Sequence, residues 1–560
     1  MSNTHEDTNR NINWKKISYW TLGVLGFLLI LLIIGGFILQ NKLPEQLKST
    51  IRKETKGVYE LQFADMEVSL IRGSMHLDSI ALTPDTGAYS KNHNAESAKN
   101  LFQLKAHSLD ISGLKLLKYL FSKKLQVTSI ALNNPDLIIM KMRDTIPVDS
   151  LADVSLYHQM PEFLKDAKVK ILRVNELSVV NQDKGDTSRR GGQWSGLSFA
   201  MESISIDSLS HRDSTKLWFC SDIQSNSKNI HFASADGMYD FTIAELKASV
   251  KDRLVDITDF KVVPRYPEIE FSQRLGVQGD RYDMVFGKIG ASDIDFKSFE
   301  ESGRLRLSIL NLENAELRIF NNKTLPGSSE PKTDNFPHIA IKKLAIPLTL
   351  DTLLMENVSI YYKELSPQSG KSGTAFFTSL YGTLHNITND SIQWKEDPWC
   401  RAKFETKFLG NAKLLVDLNL NMADKDGEFN YKGSLGPAKG KFYNQILEPM
   451  AMARIEDGNI KSINFSVNAN RFGSTAEVVM LYDDLKVSVL GKDGKVVKKK
   501  GLLSFLANTF IVKNSNPRKK GEPPIEANVK FTHSPERSFF NLMWKSVFTG
   551  LKVNLGIPDL

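Results

Sequence analysis

The sequence predicts a mostly β protein: an N-terminal transmembrane helix, then a long antiparallel-rich body of repeated, bent strands with a few short helices. Three observations predict it. Residues Ile17 to Leu39 run for 23 positions without a charge. The spacing apolar-x-apolar-x-x-apolar-x-apolar returns seven times between Met75 and Ile360. Helical periodicity is rare after the first segment. With 41% apolar and 24% charged residues the chain has the composition of a folded protein, not a disordered one. Its 560 residues suffice for several ordinary domains or one long repetitive one.

The first element is a head of residues 1–16, followed by the uncharged run at 17–39. As a helix that run is about 35 Å long, enough for a hydrocarbon core of about 30 Å. A cleaved signal peptide is the competing reading, but the run is too long and no small-residue cleavage site follows it. Tyr19 and Trp20 fall at the near interface, where amphipathic rings are favoured. Leu28, Leu29, Ile30, Leu31, Leu32 and Ile33 form the apolar centre. Lys and Arg stand on both sides, so charge counting does not orient the span. Long domains translocate largely regardless of charge, so the expectation is a cytoplasmic head and a translocated body. Residues 40–56 ("LPEQLKSTIRKETK" at their core) read as a juxtamembrane amphipathic helix.

The body follows in two parts, 57–320 and 338–490, separated by the polar Pro/Ser-rich segment 321–337. Met75, Leu77, Ile80 and Leu82 form the first copy of the repeat; Leu125, Val127, Ile130 and Leu132 form the second. The others begin at Leu172, Phe199, Val255, Leu310 and Leu353. Alternation at period two puts apolar side chains on one sheet face. The two-residue gap slips the phase, so a straight strand would send its second half to the opposite face. A β-bulge or sharp bend at the gap restores the facing. The alternative is an ordinary β-sandwich with similar strands. Strict alternation without a slip occurs at Leu414 to Met422, which includes Val416, Leu418 and Leu420, and at Ile463 to Ala469. At about 16 residues per strand and turn, the body holds roughly 30 strands.

Nothing in the sequence asks for a metal, a cofactor or catalysis. The ten histidines are scattered, and there is no HExxH, Gly-x-Ser-x-Gly, phosphate-binding loop or dinucleotide fingerprint. Asp483 and Asp484 read as solvated turn residues. Cys220 and Cys400, 180 positions apart, leave two readings open: two buried thiols, or one long-range disulfide.

Residues 491–560 form a basic, amphipathic region. From Lys492 to Lys552 there are 13 Lys/Arg against 4 Asp/Glu, a surplus of +9 in a chain whose total is +8. Lys498, Lys499 and Lys500 head this excess. Further on, Phe540, Trp544, Val547, Phe548 and Leu551 recur at helical spacing. A basic flank beside a Trp/Phe/Leu face suits an interfacial membrane helix. A terminal helix covering the end of the sheet is the other reading, and the two are compatible. Nucleic acid is not an expected partner, because the charge lies beyond a membrane span.

The opening "YELQFADMEVSLIRGSMHLDSIALTPD" after a single N-terminal span resembles that of AsmA-like envelope proteins. "KKLQVTSIALNNPDLIIMK" is similar to that family's next block. "DGMYDFTIAELKASV", "VVPRYPEIEF", "GSLGPAKGKFYNQILEP", "LYDDLKVSVL" and "PERSFFNLMWKSVFTGLKVNLG" resemble the version found in Bacteroidetes-type bacteria. The resemblance runs from Trp14 nearly to the end. It implies an inner-membrane-anchored periplasmic protein of the bridge-like lipid-transfer type, whose strands form a curled sheet with an apolar groove. It further implies a link to phospholipid movement and to outer-membrane integrity, with no catalytic residue to carry over. On that reading Met75, Leu77, Ile80, Leu82, Leu125, Val127, Ile130, Leu132, Val416, Leu418 and Leu420 line the groove. Lys498 to Lys500 with Phe540, Trp544, Phe548 and Leu551 dock the tail on a membrane. The expected partners are membrane phospholipids and an outer-membrane or periplasmic protein. The rival function is an assembly factor for outer-membrane proteins that works by strand pairing.

Overall fold

In a computed structural model the described residues are 43–557, except 70, 92–99, 116–117, 119–123, 142–165, 184–185, 208–215, 235, 328–330 and 492–513. The head, the apolar run 17–39 with Tyr19, Trp20 and Leu28 to Ile33, and Lys498 to Lys500 lie outside them. Among the described residues no helix is long and apolar enough to cross a membrane. Among the described residues there are 22 strands, assigned to one antiparallel-rich sheet, with short helices between them. That is fewer than about 30 because several strands are long: four have 18 or more residues. The chain divides into two compact units, residues 1–259 with 293–305, and 260–292 with 306–560. The polar segment 321–337 lies inside the second.

The first unit holds β1 (Tyr59–Gln62), β2 (Asp65–Ser69), β3 (Ser74–Pro84), β4 (Asn100–Ser112), β5 (Leu125–Asn133), β6 (Asp136–Lys141), β7 (Ala167–Asp183), β8 (Asp186–Ile206), β9 (Asp222–Ala233) and β10 (Tyr239–Ser249). β1 and β2 pair end to end along β3, and β5 and β6 do the same along β4. β7 runs parallel to β5 and β6, and antiparallel pairing continues through β8 and β9 to β10. Helix α1 (Leu43–Glu54) falls in the predicted juxtamembrane segment. Leu47 and Ile51, one turn apart, sink into the sheet's core.

β11 (Leu254–Pro264) crosses the boundary between the units. The second unit contains β12 (Asp280–Ser292), β13 (Leu305–Asn322), β14 (Leu348–Leu365), β15 (Ser372–Thr388), β16 (Trp399–Phe408), β17 (Ala412–Asn421), β18 (Phe429–Leu435), β19 (Ala438–Lys439), β20 (Ala453–Asn470), β21 (Gly473–Val489) and β22 (Ala527–Thr532). β12 pairs with β13, and an antiparallel meander runs from β14 to β18. It then passes through β20 to β21 and β22, with β19 beside β20. The long helix α2 (Phe539–Leu555) starts at the N-cap Ser538 and stops at Gly556.

The phase slip has a defined backbone cause. In six of the seven repeats the second gap residue is left-handed: Ser79, Glu176, Ser203, Asp259, Asn314 and Asn357, with φ between +49° and +58°. One such residue turns the following peptide over, so the apolar residues on both sides keep a common face. In the second copy Ser129 is not left-handed; the break falls at Asn134, φ +47°, before Pro135. The same device sits where no repeat was read. Asp484 has φ +53° within β21, between Met480–Tyr482 and Leu485–Val487. Asp483 and Asp484 are therefore strand residues, not turn residues.

In the first unit these residues line up. The β1–β2 break faces Ser79; Asn134 and Glu176 lie side by side on β5–β6 and β7. Glu176 faces the β8 segment holding Gly196, φ +79°, and an added Cβ there would lie 2.9 Å from the Lys228 carbonyl, beside Asn229, φ +52°. The result is a crease across the sheet from β3 to β9. Side chains stitch one flank of it: His76 to Asp110 at 2.6 Å, Asn133 to Asp110 at 2.8 Å, and Asn175 to Asn133 at 2.8 Å. A second row crosses the second unit through Asn314, Asn357 and Ser379, and Asn357 donates to Asn314 at 2.7 Å.

Candidate functional site

The crease has different consequences in the two units. In the first, Met75, Leu77, Ile80, Leu82, Leu125, Val127, Ile130 and Leu132 are all buried. They pack with one another, with Leu47 and Ile51 of α1, and with Phe219 and Cys220. The apolar residues on both sides of the crease belong to one buried cluster. These eight lie in the interior of the first unit, with Leu137, Leu177, Phe199 and Ile223 partly buried beside them.

The second unit keeps an apolar face with less cover. Ala315, Val358 and Leu380 are buried at its centre, while Phe286, Leu317, Met355, Ile360 and Phe404 around them stay partly exposed. Register places Met284 and Phe286 of β12 opposite Leu317 and Ala315 of β13, and Val358 of β14 opposite Leu380 of β15. The face continues from Phe404 through Val416, Gly433 and Phe465 to Val478. Glycine under an aromatic ring is a recurring device there. A Cβ on Gly382 would lie 2.5 Å from the Phe404 ring, and one on Gly433 2.5 Å from the Phe465 ring. Of the lining predicted here, Leu418 and Leu420 are buried and Val416 is half-buried.

At the β20–β22 end α2 covers the apolar face, as the second reading of the tail expected. Phe539, Leu542, Val547 and Gly550 are buried against the sheet, and a Cβ on Gly550 would come 2.4 Å from Val478. Polar contacts fix the helix as well. The Tyr431 hydroxyl donates to the Met543 carbonyl at 2.7 Å, and Tyr482 donates to the Asn554 carbonyl at 3.1 Å. Asn554, fully buried, accepts from Met480 N at 3.0 Å and donates to the Val478 carbonyl at 3.0 Å. Asn516 donates to the Met480 carbonyl at 2.8 Å. β22 stops pairing at Val478, so these two asparagines take over the β21 edge where the strand partner ends.

An aromatic box forms the base of α2: Phe336, Phe429 and Phe539 surround His338, with His533 against Phe336. Burial pushes His338 down to about 4, outweighing the Gly427 backbone, which favours the charged ring; Lys342 lowers it further and Asp424 opposes. Burial lowers His533 too. An unfolded histidine titrates near 6.5, so the unfolded chain binds the extra proton first as pH falls. Stability is therefore full above about 6.5 and is lost as pH falls towards 4. The second unit is expected to be about 2 kcal/mol less stable at pH 5 than at pH 7.5. His338→Phe should remove most of that difference in urea titrations at the two pH values.

The opposite face of the same strands is rich in charge, and an open cavity of about 950 Å³ on these strands is lined by both its charged residues and apolar ones such as Leu415 and Val479. Register aligns Lys403, Asp417, Lys432, Ser466 and Glu477 in one row along it. Tyr381, Glu405, Leu415, Ser434 and Asn464 form the next row. The charges alternate in sign and pair, as Lys432 does with Asp417 at 3.7 Å.

Cys220 and Cys400 are both free and buried; burial pushes their thiols up to about 12 and about 11. That is the first of the two readings the sequence left open. Among the described residues no group of three or more His, Cys, Asp or Glu is placed to hold a metal ion. Sequence reasoning missed the Gly–aromatic pairs, the edge-capping asparagines and the His338 box. The glycines at alternate strand positions were the available signal for the first. Comparison with family models gives no match, and a search of curated proteins gives none either.

Proposed function

We propose that this chain is a non-enzymatic lipid-handling protein of the AsmA-like kind, which holds phospholipid acyl chains on the apolar face of its second unit. In this reading the run 17–39 anchors it in a bacterial inner membrane with the bulk in the periplasm. It supports lipid transport to the outer membrane and the integrity of that membrane. The observation that carries the proposal is the combination at the second crease. Asn314 and Asn357 keep apolar residues on one side of long strands, yet Phe286, Leu317, Met355, Ile360 and Phe404 remain partly exposed. Covering that surface with acyl chains gains about 25 cal/mol per Å². The acyl chains are placed on the second unit because the eight repeat residues from Met75 to Leu132 in the first are buried in its core. The strand-pairing alternative is weakened by Asn516 and Asn554, which already occupy the β21 edge beyond β22.

The test is binding of a fluorescent-acyl phospholipid to the full chain in detergent, read by co-migration on native gels. Leu317→Glu and Ile360→Glu place charge on a half-exposed face and should each weaken binding about tenfold or more while leaving the fold intact. Binding equal to that of the unaltered chain in both variants would remove the proposal's basis.

A further inference from the structure

α2 is apolar on two sides. One side is spent on the sheet. The other carries Phe540, 69% exposed, and Trp544, 45% exposed, with Phe548 and Leu551 half-buried on the following turns. Trp544 stacks on Phe548 at 5.5 Å, and the Lys545 ammonium lies 5.5 Å from the Phe548 ring centroid. Val547, which the periodicity grouped with this stripe, turns to the sheet instead. The stripe is therefore not needed to hold the helix in place, and a soluble surface gains nothing from it.

We infer that the outer stripe of α2 is a docking surface for an anionic phospholipid bilayer. Two features single out that occupant. Indole and phenyl rings beside lysine form the composition that settles at the headgroup level, rings inward and ammonium groups towards phosphate. Charge points the same way: residues 514–557 carry seven Lys/Arg against three Asp/Glu, with Arg537 just before the helix and Lys545 and Lys552 on it. Asn554, Tyr431 and Tyr482 fix the helix, so the stripe is presented from a rigid base and little ordering is needed on contact. The inference does not require the apolar face of the second unit to carry lipid.

The experiment uses Phe540→Cys in the full chain, held in amphipol and labelled with an environment-sensitive fluorophore. The two native thiols are buried with raised pKa values, so the label goes to position 540. Vesicles of phosphatidylcholine with about one-third phosphatidylglycerol should shift the emission to the blue, and salt should weaken the effect. Lys545→Gln should lower the partition coefficient about fivefold. Three results would overturn the inference. They are no shift with either vesicle, an equal shift with phosphatidylcholine alone, and a shift that follows protein concentration without vesicles, which would indicate a second copy of the chain. A melting temperature equal to that of the parent confirms that position 540 is not structural.

Discussion

Replacing Asn554 by leucine is expected to lower the stability of the second unit by about 2–4 kcal/mol. The side chain is similar in size, so the effect is chemical. The amide of Asn554 satisfies Met480 N and the Val478 carbonyl and also accepts from Asn516 Nδ2 at 3.1 Å, all in a buried setting. Leucine leaves the Met480 N–H without a partner at the point where β22 has ended, and an orphaned buried donor costs about 1–3 kcal/mol by itself. Loss of the contact to Asn516 weakens the second cap. Urea unfolding measures the total, and hydrogen exchange at the Met480 amide locates it. Unchanged protection there would show that the edge is held some other way.

The crease carries the second large effect. Asn314→Val with Asn357→Val is expected to cost about 2–4 kcal/mol, because a β-branched residue at positive φ pays about 1–2 kcal/mol per site. The 2.7 Å side-chain contact between the two is lost as well, though it is exposed and contributes little. The matching Asn→Gly pair keeps the left-handed backbone and should stay close to the parent in stability. Lipid binding should follow the same split, since only the valine pair opposes the bulges that keep Leu312, Ala315, Met355 and Val358 on one face. Equal melting curves for the valine and glycine pairs would contradict the role given to backbone handedness.

Much of this backbone was legible in the chain. "MHLDSIAL" contains the slip, and Ser79 is the left-handed residue the slip demands. The same holds for "VNELSV", "ITDFKV", "LENAEL" and "MENVSI" at Glu176, Asp259, Asn314 and Asn357. "MLYDDLKV" was hidden because an Asp pair resembles a turn, although aspartate also tolerates positive φ inside a strand. What spacing could not show is which apolar face would be covered. Met75 and Leu353 begin identical patterns, yet one is buried in the first unit's core and the other is half-buried. That difference depends on how far each crease folds and on which helix reaches the face, both set by residues distant in sequence. The tail shows the same limit. Helical spacing grouped Val547 with Phe548, but Gly550 allows the helix so close to Val478 that Val547 becomes part of the contact. The edge caps have no local signature at all, since Asn554 lies 74 positions from Met480.

The central claim is that the half-buried face of the second unit holds acyl chains and that the first unit's core and the polar face do not. Photo-crosslinking of the full chain in its native cells measures this directly, with a benzophenone amino acid placed in turn at Leu317, Ile360, Leu77 and Tyr381, followed by mass spectrometry of the adducts. The account predicts phospholipid adducts at Leu317 and Ile360, and none above background at buried Leu77 or at Tyr381 on the opposite face. Adducts at Tyr381 equal to those at Ile360, or none at either apolar position, would contradict it.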